Sequence, residues 1–138
     1  MSSVSALILA KNEEQNIEDC IKSVSFADEV VVIDDFSTDK TAEIAARLGA
    51  RVIQHALDGN WGGQQTFAIQ QARCPWIFFI DADERATRRL AERVREIVAK
   101  DDRRYAYQNA RLNYFWEQPL RHGGWFPDYV VRLLPAKG

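Results

Sequence analysis

At 138 residues, with 46% hydrophobic and 28% charged positions, the chain has the composition of an ordinary soluble domain and the length for one core. The net charge of -2 lacks the positive balance of a nucleic-acid binder, so no nucleic-acid partner is expected, although arginines concentrate between Arg85 and Arg132. Two widely separated cysteines, Cys20 and Cys74, without a CxxC or Cys/His cluster, argue against zinc and a disulfide scaffold and for a reducing compartment, most simply the cytosol.

No basic-then-apolar leader opens the chain, and apolar runs such as residues 30–33 and 76–80 are far too short to cross a bilayer, so any membrane contact is expected to be peripheral. Val4–Ala10 is a compact apolar run that breaks abruptly at Lys11-Asn12-Glu13-Glu14, as a buried parallel strand does at a polar rim. Ile17, Ile21 and Val24 then recur at helical spacing. Residues 29–33 repeat the strand pattern, and Asp34 to Asp39 read as a loop and helix cap, with Ser37, Thr38 and Asp39 in the capping role. Ile44, Ala45 and Leu48 form the stripe of a second helix, which Gly49 is placed to end.

Residues 51–55 predict a short third strand, and a polar, glycine-rich stretch over 57–63 leads into a third helix carrying Phe67, Ala68 and Ala72. Pro75 separates that helix from a fourth buried strand over 76–80, and Asp81-Ala82-Asp83-Glu84 follows at once. Leu90, Val94, Ile97 and Val98 make an apolar stripe on a charged helix ending near Asp101. Beyond it, residues 105–112 and 129–134 resemble strands joined by an aromatic, arginine-containing segment. Four alternations of strand and helix predict an α/β fold, a mainly parallel sheet flanked by helices, with ligands beyond the carboxyl ends of the strands. Asn12-Glu13, Asp34-Asp35 and Asp81/Asp83 all fall at such ends.

Asp81-Ala82-Asp83 carries the most chemistry. Two carboxylates two positions apart at a strand tip, with a small residue between them, suit a hard divalent ion that keeps some water and shares phosphate oxygens. A diphosphate leaving group needs such an ion, because negative charge builds on it as the bond breaks. An isolated DxD is more often a pair of solvated loop acids; a strand leading into it, and a second acidic strand tip upstream, change that balance. Asp34, ahead of the cap, can accept from a uracil imide or a ribose hydroxyl. There is no GxxxxGK[ST] and no GxGxxG after the first strand, so a bound nucleotide must be held by carboxylates and metal.

The runs LILAKNEEQNIEDCIKSV, ADEVVVIDDFSTDKTAEIAARLGARV, WIFFIDADERAT and RHGGWFPDYVVRLL occur in that order and resemble successive blocks of family 2 glycosyltransferases. The likeness is closest to the branch that adds glucose or a similar sugar to the inner core of lipopolysaccharide. It implies the GT-A fold, with residues 1–104 as the donor-binding α/β region and 105–138 as the start of the acceptor side. It further implies that Ala10, Lys11, Asn12 and Glu13 line the nucleoside pocket and that Asp34 meets the base. Asp81 and Asp83 would serve ribose, diphosphate and a Mg²⁺ or Mn²⁺ ion, with Asp83 the principal ligand.

The implied reaction moves a sugar from a nucleotide donor, UDP-linked by expectation, to a saccharide or lipid-linked acceptor with inversion, at the inner face of the bacterial cytoplasmic membrane. Two departures stand out. Gln65 and Thr66 follow Gln64 where the branch has a basic residue and asparagine, and the branch continues well past the last block, which implies a truncated version. Arg121, His122 and Trp125 belong to an aromatic and basic stretch that either grips an anionic acceptor or lipid headgroups, or covers a sheet edge. Asp128 is the candidate base, and the C-terminal aromatics are a candidate homodimer face. The competing readings are a non-catalytic nucleotide-binding piece and a phosphatase of the haloacid dehalogenase type, whose motif wants Thr or Val where this chain has Arg85.

Overall fold

The structure, a computed structural model, describes residues 3–101 and 133–135. Within them β1 (Val4–Ala10), α1 (Ile17–Ser23), β2 (Glu29–Asp34), α2 (Thr41–Arg47), β3 (Arg51–Gln54), α3 (Trp61–Gln71), β4 (Trp76–Asp81), α4 (Arg88–Lys100) and β5 (Leu133–Pro135) follow in order. They build one sheet with strand order β3-β2-β1-β4-β5. β1 to β4 pair in parallel, and β5 adds antiparallel to β4. The mainly parallel sheet expected from the alternation is therefore present. The strand expected over 105–112 lies outside the described residues.

The parallel strands are apolar on both faces, and the period of two sorts their side chains into two cores. Ala6, Ile8, Val32, Trp76, Phe78 and Ile80 face α1, α2 and α4, whose Ile17, Cys20, Ala45, Leu90 and Val94 complete that core. Leu7, Val31, Ile33 and Ile77 face the other way, onto Ala68 of α3. The chain steps from β1 to β2 to β3 in one direction, then crosses under the sheet through α3 to place β4 on the far side of β1. Right-handed crossovers require that reversal of direction to carry the helix to the opposite face. The reversal opens a crevice beyond the carboxyl ends of β1 and β4, where such sheets bind ligands.

Two helix ends differ in quality of prediction. Gly49 sits just past α2 with φ of 93°, the left-handed conformation that ends a helix, as its position promised. The start of α2 is later than Ser37 and Thr38 indicated: the helix begins at Thr41, and Asp39 accepts from the Thr41 amide at 2.9 Å and from its hydroxyl. Ser37 and Thr38 serve a neighbouring loop instead.

Candidate functional site

A cleft of about 270 Å³ opens at the topological switch and is lined by Leu9, Ala10, Lys11 and Glu13 from the β1 end, Asp35 past β2, Leu57, Gln64, Asp81 at the tip of β4, and Ala82 and Asp83 past it. The register explains the convergence. Asp81 lies beside Leu9 and Asp34 beside Ala10, so two strand tips flank the end of β1 and their following residues project over it.

The acidic turn after β4 is closed at both ends. The Glu84 amide donates to the Asp81 carbonyl at 2.9 Å, and the Asp81 amide donates to Glu84 Oε1 at 2.9 Å. Glu84 is only 2% exposed, so this carboxylate lies under the turn while Asp81 and Asp83 line the cleft above it. The Cys20 thiol beneath reaches the Asp81 carbonyl at 3.4 Å. Burial, together with the negative charges of Glu84, Asp81 and Asp83, pushes that thiol far above its ordinary pKa and keeps it neutral.

On the β2 side of the cleft, the loop after β1 is clasped to the loop after β2. The amides of Asn12 and Glu13 donate to Ser37 Oγ and Thr41 Oγ1, both at 2.8 Å, and Asn12 Oδ1 accepts from the Thr38 amide at 2.8 Å. Asn12 adopts φ of 53°, a conformation asparagine tolerates better than most residues. Its side chain thus serves the clasp, and Asn12 is not among the residues lining the cleft.

Asp34 is likewise absent from the lining. It is 0% exposed, and its oxygens accept from the Ser37 amide at 3.0 Å and the Ser37 hydroxyl at 2.5 Å. Its neighbour Asp35 faces the cleft, accepting from the Leu57 amide at 3.2 Å and standing 3.7 Å from Lys11 Nζ. Sequence reasoning named Asp34 from its place at the strand tip; it is the acid one position later that lines the cleft.

Gln64 is a lining residue that sequence reasoning treated only as a landmark. It is 3% exposed, donates through Nε2 to the His55 carbonyl at 2.8 Å and meets His55 Nδ1 at 2.5 Å through Oε1. With Nε2 committed as donor, Oε1 must accept, so His55 carries its proton on Nδ1. The imidazole stacks on Phe67 at 3.7 Å between centroids, which holds the pair in place. The available signal was its spacing, four residues before the buried Ala68 on one helix face. Gln65 and Thr66, where the branch has its basic residue and asparagine, are exposed on α3.

Among the described residues no group of three or more His, Cys, Asp or Glu is arranged to hold an ion unaided. Asp81 and Asp83 supply two carboxylates, a set that fits Mg²⁺ or Mn²⁺, which take one or two carboxylates and complete their shell with water and phosphate oxygens. Arg121, His122, Trp125 and Asp128 lie outside the described residues. Among the described residues, no helix is long and apolar enough to cross a membrane.

A doubly wound sheet with an acidic cleft at its switch point and no glycine-rich phosphate loop defines a class of nucleotide-binding α/β domain. Within it, residues 5–131 match the Glycosyl transferase family 2 model, and the chain belongs to that family. It is 44% identical over 108 residues to an uncharacterized glycosyltransferase of Rickettsia bellii, covering 76% of this chain and 36% of that protein. To the lipopolysaccharide core biosynthesis glycosyltransferase LpsC of Rhizobium meliloti it is 34% identical over 123 residues, 80% of this chain and 43% of that one.

Among solved structures it resembles residues 1–349 of S. aureus TarS in complex with UDP, with a TM-score of 0.61 and 25% identity over 71% of this chain and 32% of that one. It also resembles glucosyl-3-phosphoglycerate synthase from Mycobacterium tuberculosis in complex with Mn²⁺, UDP-glucose and phosphoglyceric acid, with a TM-score of 0.53 and 32% identity over 60% of this chain and 34% of that one. The fold is that of the GT-A glycosyltransferases. The chain spans 36% and 43% of the two relatives' lengths. The family match displaces the haloacid dehalogenase alternative.

Proposed function

We propose that the cleft binds a nucleotide-diphosphate sugar, UDP-linked, and forms the donor half of an inverting glycosyltransferase of lipopolysaccharide or surface-polysaccharide synthesis. The observation that carries the reading is the convergence of Asp35, Lys11, Asp81 and Asp83 on one cleft at the sheet's switch point. Asp35, in the place first given to Asp34, accepts from the base or ribose, and Lys11 turns from Asp35 to the diphosphate. Asp81 and Asp83 hold Mg²⁺ or Mn²⁺, which would neutralise charge building on the leaving diphosphate. Gln64, its amide oriented by His55, walls the cleft and excludes water from one side.

Arg121, His122 and Trp125 are the proposed contacts to the acceptor, a saccharide or a lipid-linked one, and Asp128 is the proposed base that takes the proton of the attacking hydroxyl. The enzyme works in the cytoplasm at the inner membrane face. The LpsC relative supports the pathway class, and the UDP and Mn²⁺ complexes of the two structural relatives support the ligand class. Nucleotide binding without sugar transfer is the second reading.

Thermal-shift titration with UDP, GDP and CDP, each with and without Mn²⁺, tests the donor site. One nucleotide, expected to be UDP, should raise the melting temperature more when Mn²⁺ is present, and Asp83→Ala should abolish that increment. Equal indifference to all three nucleotides sinks the reading. Sugar transfer by this chain from a UDP-sugar then separates the enzyme from the binding piece.

A further inference from the structure

We infer that Glu84 is the positioning residue of the acidic turn, and that its hydrogen bond to the Asp81 backbone, rather than its charge, sets how well Asp81 and Asp83 take up a cation. The inference rests on the donor-site reading above and deepens it. Glu84 follows directly on Asp83 but points the other way, into the interior, where it is 2% exposed. Its Oε1 accepts from the Asp81 amide at 2.9 Å while its own amide returns to the Asp81 carbonyl at 2.9 Å. These two bonds close residues 81–84 into a ring like a capping box, in which a backbone turn and a side chain satisfy each other.

The consequence is geometric. Ala82, 2% exposed, packs against the core and forms the floor of the cleft between Asp81 and Asp83, which line it on either side. The rest of the turn is anchored to α1 by weaker or more distant links. Cys20 Sγ reaches the Asp81 carbonyl at 3.4 Å, Ser23 Oγ accepts from the Ala86 amide at 2.9 Å, and Arg85 pairs with Asp19 at 3.1 Å. Glu84 Oε1 takes the amide of Asp81, so the Glu84 carboxylate helps to set the angle at which β4 hands over to the turn. Asp81 and Asp83 would hold a small, hard ion that tolerates little misplacement of its oxygen ligands, and a loosened turn would not keep them in place.

A pair of conservative variants separates reach from charge. Glu84→Gln keeps an oxygen at the same reach and loses the charge; Glu84→Asp keeps the charge and falls short by one carbon–carbon bond, about 1.5 Å. Calorimetry would measure Mn²⁺ binding to the UDP-saturated chain and, separately, UDP binding without metal. The expected result is Mn²⁺ affinity within about threefold of the unmodified chain for Glu84→Gln and at least about tenfold weaker for Glu84→Asp, with metal-free UDP affinity unchanged in both. The reverse ranking, equal loss in both, or no loss in either overturns the inference. So does a Glu84→Asp variant whose metal-free UDP affinity and melting temperature fall in step with its Mn²⁺ affinity, the mark of a purely structural role. If the unmodified chain itself shows no metal-dependent response, the donor-site reading falls, and this inference with it.

Discussion

Asp34 and Asp35, neighbours in sequence at the tip of β2, serve opposite sides of it: Asp34 is sealed against Ser37 inside the loop, while Asp35 faces Lys11 across the cleft at 3.7 Å. The alternation of side chains along a strand turns one residue inward and the next outward, and the loop that follows supplies the partner for the inward one. A buried carboxylate without hydrogen bonds is costly, and Ser37 meets that need with both its amide and its hydroxyl.

Substitution of the two acids should therefore separate stability from binding. Asp34→Ala removes two hydrogen bonds from a buried group and should lower unfolding free energy by about 2–3 kcal/mol in urea titration. Asp35→Ala should leave stability within about 1 kcal/mol and weaken UDP binding at least about tenfold. If Asp34→Ala loses UDP affinity at undiminished stability, the assignment of roles is reversed.

Phe36 has φ of 48° and is 59% exposed, a bulky residue in the left-handed region with little packing in return. Left-handed backbone costs a non-glycine residue about 1–2 kcal/mol, and glycine gives back about 0.4–1 kcal/mol through its freer unfolded chain. Phe36→Gly should stabilise the protein by about 0.5–1 kcal/mol, read as a higher urea midpoint, and leave UDP binding unchanged because Phe36 does not line the cleft. A lower midpoint would mean that the ring makes a contact worth more than the strain.

At the opposite end of the sheet Glu29 ties four segments together. It accepts from Ser5 Oγ at 2.6 Å, the Arg73 amide at 2.7 Å and the Arg51 guanidinium at 3.2 Å. Burial raises its pKa, but the bonds from Ser5, Arg73 and Arg51 outweigh that and hold the carboxyl below its ordinary range. A folded value below the unfolded one, about 4.3, makes Glu29 stabilising above that pH and releases the contribution as pH falls through the folded value. The stability gap between the unmodified chain and Glu29→Gln should be largest at neutral pH, on the order of 1–3 kcal/mol, and shrink toward strong acid. A gap that grows in acid contradicts the network.

Cys20 is fully buried with its thiol pushed far up in pKa, whereas Cys74 is half-buried. A thiol reagent at pH 8 should label Cys74 at least about tenfold faster than Cys20 in the folded protein and both at similar rates in urea, measured by mass spectrometry. Fast labelling of Cys20 without denaturant would show that the floor of the acidic turn opens.

Much of the fold was legible because parallel strands buried on both faces read as continuous apolar runs and each ends at a polar rim. The stripe Leu90, Val94 and Val98 and the glycine at 49 are equally local signals, set by the periods and dihedrals of a helix and its end. The DxD at a strand tip was legible for the same reason. What failed was capping at Ser37 and Thr38: a hydroxyl after a strand caps the next helix or grips a neighbouring loop, and local spacing does not distinguish the two.

The sequence by itself determined the order of elements, the mainly parallel sheet and the two acidic strand tips, because each is signalled by residue patterns within a few positions along the chain. Tertiary structure alone decided which acid of the Asp34-Asp35 pair faces the cleft, that Gln64 walls it, that Asn12 clasps Thr38, and that Glu84 turns inward beneath Asp81. Those outcomes depend on how loops from different strand ends meet, as Asn12 meets Thr38 and Leu57 meets Asp35, or on the direction in which a turn closes against α1, and such geometry exists only once the strands lie side by side.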